Sequence, residues 1–212
     1  MAKQTYARNV GKLFGGVVLL LIALVGVGYG SMLREMERAV EEYSQGDPEA
    51  ALKRYEAVEQ RLRGYGALRL IPKRDRQNLV LNEARLLYAL RRYDDAAERL
   101  ERENEVPGLA SDGRFLLLRG EISFRKAVGN YRESEKKDPR VLEEALLAAE
   151  DTLRDSLRMD PNDWDAKFNY EFINYVRNLM SQNDDKGKMK ILMENVRVKE
   201  TQPKPLPPEQ QS

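Results

Sequence analysis

Two different hydrophobic patterns divide the chain. Residues 13–33 read LFGGVVLLLIALVGVGYGSML and contain no charged side chain. At about 1.5 Å per helical residue, this run matches the roughly 30 Å hydrocarbon core of a bilayer. From residue 34 onward, apolar side chains recur every three or four positions, which is typical of helices with one buried face. The pattern predicts an all-α protein with one N-terminal transmembrane helix followed by a helical domain.

The periodic part of the chain separates into individual helices. We predict helices at residues 32–44, 48–63, 76–91, 94–104, 113–127, 140–159 and 163–181, and a short element at 188–197. Residues 201–212 contain four prolines and almost no apolar side chain, which predicts disorder. The predicted organisation is a cytoplasmic tail at 1–12, a transmembrane helix at 13–33, a helical domain at 34–198 and a disordered, proline-rich tail at 199–212.

Charges on the two flanks of the apolar run predict its orientation. Lys3, Arg8 and Lys12 precede the run, whereas residues 34–42 carry four acidic and two basic side chains. Basic flanks are preferentially retained in the cytoplasm, so we expect the N-terminus there and residues 34–212 on the other side. The predicted location is the bacterial inner membrane, with a single span and a periplasmic C-terminal domain.

A cleaved signal peptide is the alternative interpretation of the N-terminal segment. Gly28 and Gly30 would then be the small residues before a cut at Ser31. The apolar run is long for the hydrophobic part of a signal peptide, however, and no A-x-A motif is present. These two features favour an uncleaved anchor.

Two glycines in the membrane segment form a short packing motif. Gly26 and Gly30 are spaced as G-x-x-x-G, which allows two membrane helices to approach closely. The motif predicts a membrane-helix contact, including a homodimer, at these residues. The alternative is that glycine is simply common in membrane helices.

Composition narrows the chemistry of the protein. The chain contains neither cysteine nor histidine, which excludes disulfides, thiolate nucleophiles and the commonest general base and transition-metal ligand. The residues after position 30 are slightly acidic, which argues against a broad nucleic-acid surface. The basic residues at 61–76 are interpreted as solvated helix ends. We therefore predict no catalytic residues, no cofactor, no metal and no nucleic-acid partner.

A pair of apolar residues recurs along the helical domain. A small residue is followed four positions later by a large one in the pairs Ala51 and Tyr55, Ala96 and Leu100, and Ala149 and Leu153. The small member allows a neighbouring helix to approach. With the turn Asp160-Pro161-Asn162-Asp163, these residues resemble the tetratricopeptide repeat, a helical hairpin of about 34 residues.

The resemblance implies a solenoid whose first helices line a concave surface. Its groove-facing positions fall on Leu81, Arg85, Tyr88, Leu117, Glu121, Phe124, Phe168, Phe172 and Tyr175. If these side chains are exposed, they would bind an extended peptide or a partner helix. The alternative is that this apolar face belongs to the core, because apolar helical stripes usually do.

The segment from Asp160 onward also has a faint likeness to a calcium-binding loop. Asp160, Asn162 and Glu171 stand at positions 1, 3 and 12 of such a loop, but Asp165 replaces the glycine needed at position 6. We interpret the segment as an inter-repeat turn in which Asp163 caps the next helix.

The predicted function is a membrane-anchored protein-interaction scaffold or assembly factor on the extracytoplasmic side. The anchor and the turn from Asp160 to Asn169 resemble repeat-containing membrane proteins encoded beside MoxR-type ATPases and von Willebrand factor A domain proteins (MxaK-like). That resemblance implies a role in maturing a periplasmic enzyme or complex. The alternatives are a structural subunit of a larger membrane complex and an enzyme that uses carboxylate or lysine chemistry.

Overall fold

The computed structural model describes residues 2–102, 106 and 108–181, and the side chains of 14–102, 106 and 108–180. The helices in these residues are α1 (Ala2–Ser44), α2 (Pro48–Gly64), a 3-10 turn (Ala67–Arg69), α3 (Lys73–Ala89), α4 (Tyr93–Glu101), α5 (Gly113–Glu133), α6 (Pro139–Met159) and α7 (Trp164–Ser181). The described residues form no strand, so the all-α prediction is confirmed for this part. The predicted element at 188–197 and tail at 199–212 lie outside it.

Helix α1 joins two predicted elements into one. The sequence predicts a transmembrane helix ending at residue 33 and a domain helix at 32–44, but the structure has no break between them. Residues 31–44 contain no proline or glycine, so nothing in this stretch interrupts the backbone hydrogen bonds. The part from Phe14 onward is long and apolar enough to cross a membrane. The remainder of the same helix is buried in the domain through Met32, Met36 and Ala39.

Successive helices pack against each other in chain order. Contacts join α1 to α2, α2 to α3, and so on to α6 and α7, and they also join α3 to α5 and α5 to α7. One hydrophobic cluster fills the space among α1–α5, and a second lies among α5, α6 and α7. Helix α5 contributes to both, with Phe115 in the first and Phe124 in the second.

Small residues mark the closest helix contacts. Ala51, Ala96 and Ala149 are all fully buried, as the recurring pairs predict. A further contact, which the pairs do not reveal, occurs at Gly120 of α5. A Cβ atom there would lie 2.7 Å from Cγ of Leu153 on α6. The absence of a side chain therefore sets the distance between α5 and α6.

The ends of the helices follow local capping chemistry. Asp47, Asp112 and Asp138 precede α2, α5 and α6, and each accepts a hydrogen bond from a backbone N–H of the first turn. Helix α5 ends at Glu133, six residues beyond its predicted end at residue 127. The extension is stabilised because Val128 is buried and Tyr131 packs against the second cluster.

Candidate partner-binding surface

The predicted groove residues divide into two groups in the structure. Those on α3 and α5 are buried, namely Leu81, Arg85, Tyr88, Leu117, Glu121 and Phe124. Those on α7 are wholly or partly exposed, namely Phe168, Phe172 and Tyr175. The groove alternative requires exposed side chains, so it does not hold for Tyr88 and Phe124, and the core alternative holds for α3 and α5. The physical reason is that these two helices have packed neighbours on more sides than α7.

Aromatic packing explains the burial of Tyr88 and Phe124. The Tyr88 ring lies 5.4 Å from that of Tyr93, and its hydroxyl accepts a hydrogen bond of 3.2 Å from Nε of Arg125. Burial raises the pKa of Tyr88 above its ordinary value. The Phe124 ring meets Phe172 edge to face at 5.8 Å. Both residues therefore hold helices together rather than present a surface.

Polar side chains connect α3, α5 and α7 along the line where these helices meet. Arg114 donates a hydrogen bond of 2.9 Å to Oδ1 of Asn78, and Asn169 donates one of 2.7 Å to Glu121. Arg85 on α3 is also buried, and its Nε has no hydrogen-bond partner. Burial, and after it the charge of Arg114, lowers the pKa of Arg85, while Glu121 opposes the shift. These contacts fix the register of three helices.

The open side of α7 carries a row of aromatic rings. Trp164, Phe168 and Tyr175 are 76%, 47% and 53% exposed, and Phe172 between them is partly exposed. Their spacing of three or four residues places them on one side of the helix. The rings of Phe168 and Phe172 are stacked with centroids 6.4 Å apart. We call Trp164, Phe168, Phe172 and Tyr175 the α7 aromatic face.

The opposite side of α7 holds this face in position. Ala166, Asn169, Ile173 and Val176 are buried there. Asp163 accepts hydrogen bonds of 2.9 and 3.1 Å from the backbone N–H groups of Asp165 and Ala166, which confirms the predicted helix cap. The aromatic rings are therefore presented by a capped helix with a fixed orientation.

Trp164 belongs to this surface but is absent from the residues predicted to bind a partner. The repeat resemblance marks it only as the beginning of a first helix. Its spacing of four residues from Phe168 is the signal that could have found it, because residues four apart share a helix side. Its ring also contacts Lys167, whose Nζ lies 5.1 Å from the ring centroid.

The glycines predicted to contact another membrane helix have no close neighbours within the described chain. A Cβ atom added at Gly26 or Gly30 would meet no atom within 4 Å. The predicted contact with another helix, including a homodimer, stays a prediction.

Neither a metal site in the described residues nor a known relative gives this surface a role. Among the residues that the structure describes, no three side chains from aspartate and glutamate come together as a metal site. Comparisons with family models, curated proteins and solved structures found no match to this chain. The geometry of the α7 aromatic face is therefore the main support for a function.

Proposed function

We propose that this protein is a membrane-anchored interaction protein, and that its α7 aromatic face binds another protein. The observation that carries the proposal is the exposure of three large aromatic rings in one row on a capped helix. Exposed apolar patches of this kind mark interaction sites in soluble domains. Tryptophan and tyrosine supply much of the binding energy at interfaces because they bury a large, rigid area.

The membrane anchor determines where in the cell this interaction takes place. Helix α1 runs without interruption from the apolar segment into the packed domain, so the domain is held close to the bilayer. The flanking charges support a cytoplasmic N-terminus and an extracytoplasmic domain in the bacterial inner membrane. A reporter enzyme fused after Gln182 should then be active only in the exported compartment, and activity confined to the cytoplasm would reverse this orientation.

A tetratricopeptide-like solenoid is the architecture that we propose for the domain. Two observations support it: consecutive helices pack in chain order, and α3 contacts α5 and α5 contacts α7 as successive first helices would. In this arrangement α7 is the first helix of a further unit, and its aromatic face extends the inner line of the solenoid. The partner would then be an extended segment or a helix laid along α7.

The biological role that we propose is assembly of a periplasmic enzyme or complex together with a MoxR-type ATPase and a von Willebrand factor A domain protein. The support is the resemblance carried by the anchor and by the turn from Asp160 to Asn169. A structural subunit of a membrane complex is the second candidate. The open helix surface at Gly26 and Gly30 favours that alternative, because a second helix could approach there.

Site-specific photocrosslinking in native membranes tests the proposed surface. A photoreactive phenylalanine analogue replaces Phe168 in one variant and Val141 in a control, since Val141 is an exposed apolar residue on α6. We expect a discrete protein adduct from position 168 and none from position 141. Equal capture at both positions, or at neither, would contradict the α7 aromatic face as the binding site.

Mutation of the same surface provides the quantitative test. The double change Phe168→Ala and Tyr175→Ala should lower recovery of the crosslinked protein while leaving helicity and the unfolding midpoint nearly unchanged. Leu147→Ala is the matched control, because Leu147 is a 41% exposed apolar residue on α6. A partner that co-purifies at fixed stoichiometry even after detergent extraction would favour the structural-subunit alternative.

A further inference from the structure

The exposed, charge-free stretch of α1 from Phe14 onward, called its free part, is shorter than a bilayer core. Side chains from Phe14 to Val27 are exposed along the helix, a length of about 21 Å at 1.5 Å per residue. Beyond them, Tyr29 and Leu33 pack against the domain, and Met32 is buried. A hydrocarbon core of about 30 Å that begins after Lys12 would end near Leu33. The side of the domain that is closest to the bilayer therefore lies at the depth of the lipid.

The segment at residues 61–76 occupies that depth. It connects α2 to α3 through the 3-10 turn. With the part of α1 that enters the domain, it forms a groove of about 540 Å³. The groove is lined almost entirely by apolar atoms, including those of Val25, Gly28, Met32, Leu62, Leu70 and Ile71. It is continuous with the exposed apolar surface of α1, because Val25 belongs to both.

The rim of the groove exposes two large apolar residues. Tyr65 is 85% exposed and Leu70 is 78% exposed. Gly66 has φ +64°, a conformation that other residues rarely adopt, and it sends the chain into the 3-10 turn directly after Tyr65. Tyrosine is enriched at the boundary between lipid and water, where its ring and its hydroxyl are both accommodated. At the depth derived from α1, both exposed side chains would contact lipid.

The charge of the segment matches a phospholipid surface. Residues 61–76 contain six basic side chains and a single acid, Asp75. Asp75 is buried and accepts a hydrogen bond of 2.6 Å from the Tyr29 hydroxyl, which ties α3 to the end of the free part of α1. The basic residues Arg61, Arg69 and Lys73 are exposed, and Arg61 lies at the groove itself. Basic residues near an anionic leaflet are attracted to its phosphate groups.

We propose that this groove binds an anionic phospholipid of the surrounding membrane. One acyl chain occupies the space between α1 and the segment at 61–76, and Arg61 and its basic neighbours hold the phosphate. The inference rests on the proposed membrane anchor and is independent of the partner bound by α7. The bound lipid would fix the height and tilt of the domain on the bilayer, and with them the position of the α7 aromatic face.

Depth-dependent fluorescence quenching tests the lipid contact. Full-length protein carrying Trp164→Phe has no other tryptophan, so Tyr65→Trp introduces a single probe in that background. The protein is reconstituted in nanodiscs that contain phospholipids brominated on the acyl chain. We expect strong quenching of the probe at position 65 and little quenching of a matched Tyr175→Trp probe. Equal quenching of the two probes, or none at position 65, would overturn the inference.

Lipid preference is measured by native mass spectrometry of the full chain released from mixed vesicles of phosphatidylcholine and phosphatidylglycerol. We expect retained phosphatidylglycerol, with a several-fold loss in the variant Arg61→Gln and Arg69→Gln. The double change Arg140→Gln and Arg158→Gln, at exposed sites on α6, is the charge-matched control and should retain it. Gly28→Leu fills the groove without changing charge and should also release the lipid. Equal retention of both phospholipids would overturn the anionic assignment.

Carbonate extraction separates this inference from the proposed function. If carbonate releases the protein from membranes, the anchor itself is wrong and the lipid site falls with it. If the protein is retained but position 65 is unquenched, the lipid site alone is wrong. A protein that co-purifies and shields position 65 from quenching would also overturn it, since the groove would then hold a partner chain.

Discussion

Within the described residues, helix α3 is enclosed by other helices, whereas α7 is covered mainly on one side. Helix α3 packs against α2, α4 and α5, and its residues from Asn78 to Tyr88 are all buried. Helix α7 packs against α6 and α5 and buries one stripe. Both are first helices of proposed hairpins, so the difference comes from position in the stack. Within the described residues, α3 has a hairpin on each side and α7 has one on a single side.

The two helices also distribute polarity in opposite ways. Helix α3 buries Asn82 and Glu83, and these are paired with Tyr55 and Arg99 respectively. Helix α7 instead exposes Trp164 and Tyr175. Buried polar groups with partners, and large exposed apolar groups, are the informative departures from an apolar interior and a polar surface. The first departure specifies how the helices fit together, and the second indicates a surface that is available to a partner.

The largest expected difference follows from the same substitution on the two helices. Tyr88→Ala on α3 opens a cavity and removes the acceptor for Arg125, so we expect a loss of about 3–5 kcal/mol in the free energy of unfolding. Tyr175→Ala on α7 removes an exposed ring, so we expect a change within about 0.5 kcal/mol. Urea unfolding of the full chain in nanodiscs, followed by circular dichroism, measures both.

Partner capture on the same variants completes this comparison. Tyr175→Ala should lower capture without loss of stability, and Tyr88→Ala should lower it only in proportion to unfolding. A stable Tyr88→Ala variant with impaired capture would return α3 to the binding surface. A strongly destabilised Tyr175→Ala variant would instead place the α7 aromatic face in the core.

A second contrast concerns the spacing between helices. Ala96 on α4 is fully buried, so Ala96→Phe should overpack the contact and cost about 1–3 kcal/mol. Ala148→Phe on α6 is the control, because Ala148 is exposed. We expect its unfolding midpoint to stay close to that of the natural protein. An unchanged midpoint for Ala96→Phe would show that Ala96 does not lie at a tight helix contact.

The sequence predicts the helices and their close contacts better than it predicts exposure. Apolar periodicity and capping residues such as Asp163 are local signals, and both agree with the structure. Periodicity also identifies the apolar side of a helix, which packs against at least one neighbouring helix. It contains no information on how many further neighbours a helix acquires, which is set by the packing of the whole domain. Tyr88 and Tyr175 therefore have the same pattern in the sequence but different environments in the fold.

The enclosed environment of α3 predicts a pH dependence of stability. Burial raises the pKa of Glu83 to about 7; the charge of Arg99 opposes this shift, and Glu59 reinforces it. This pKa exceeds the ordinary value of 4.5. Between pH 4.5 and about 7, the folded state therefore keeps a proton on Glu83 that the unfolded state has released. The contribution of Glu83 to stability is complete below pH 4.5 and is lost as pH rises through 7.

Comparison of stability profiles checks this dependence. Because of this group, the free energy of unfolding of the natural protein should fall by up to about 1.4 kcal/mol per pH unit between about pH 4.5 and 7. Glu83→Gln should flatten the profile in this range. Ser156 on α6 is also buried and polar but donates to the backbone carbonyl oxygen of Gly113, so Ser156→Ala should leave the slope as it is. A profile of unchanged slope in Glu83→Gln would show that Glu83 stays ionised in the fold.

The smallest expected effect concerns the end of α3. Arg91 has φ 61°, and its N–H and that of Arg92 donate to the carbonyl oxygens of Tyr88 and Leu87 at 2.9 Å. Helix α1 ends with the same pair of hydrogen bonds, but there the left-handed residue is Gly46. A side chain in this conformation costs roughly 1–2 kcal/mol, and the greater freedom of glycine in the unfolded chain offsets about 0.5–1 kcal/mol.

Arg91→Gly should therefore stabilise the protein by about 0.5–1 kcal/mol, and Gly46→Ala should destabilise it by about 1 kcal/mol. Both values are measured as shifts in the urea midpoint. The two variants form a matched pair because they exchange residue types at equivalent helix ends. A loss of stability in Arg91→Gly would mean that the Arg91 side chain stabilises the fold by more than its backbone conformation costs. In that case the turn between α3 and α4 would depend on a side-chain contact that the turn between α1 and α2 does not need.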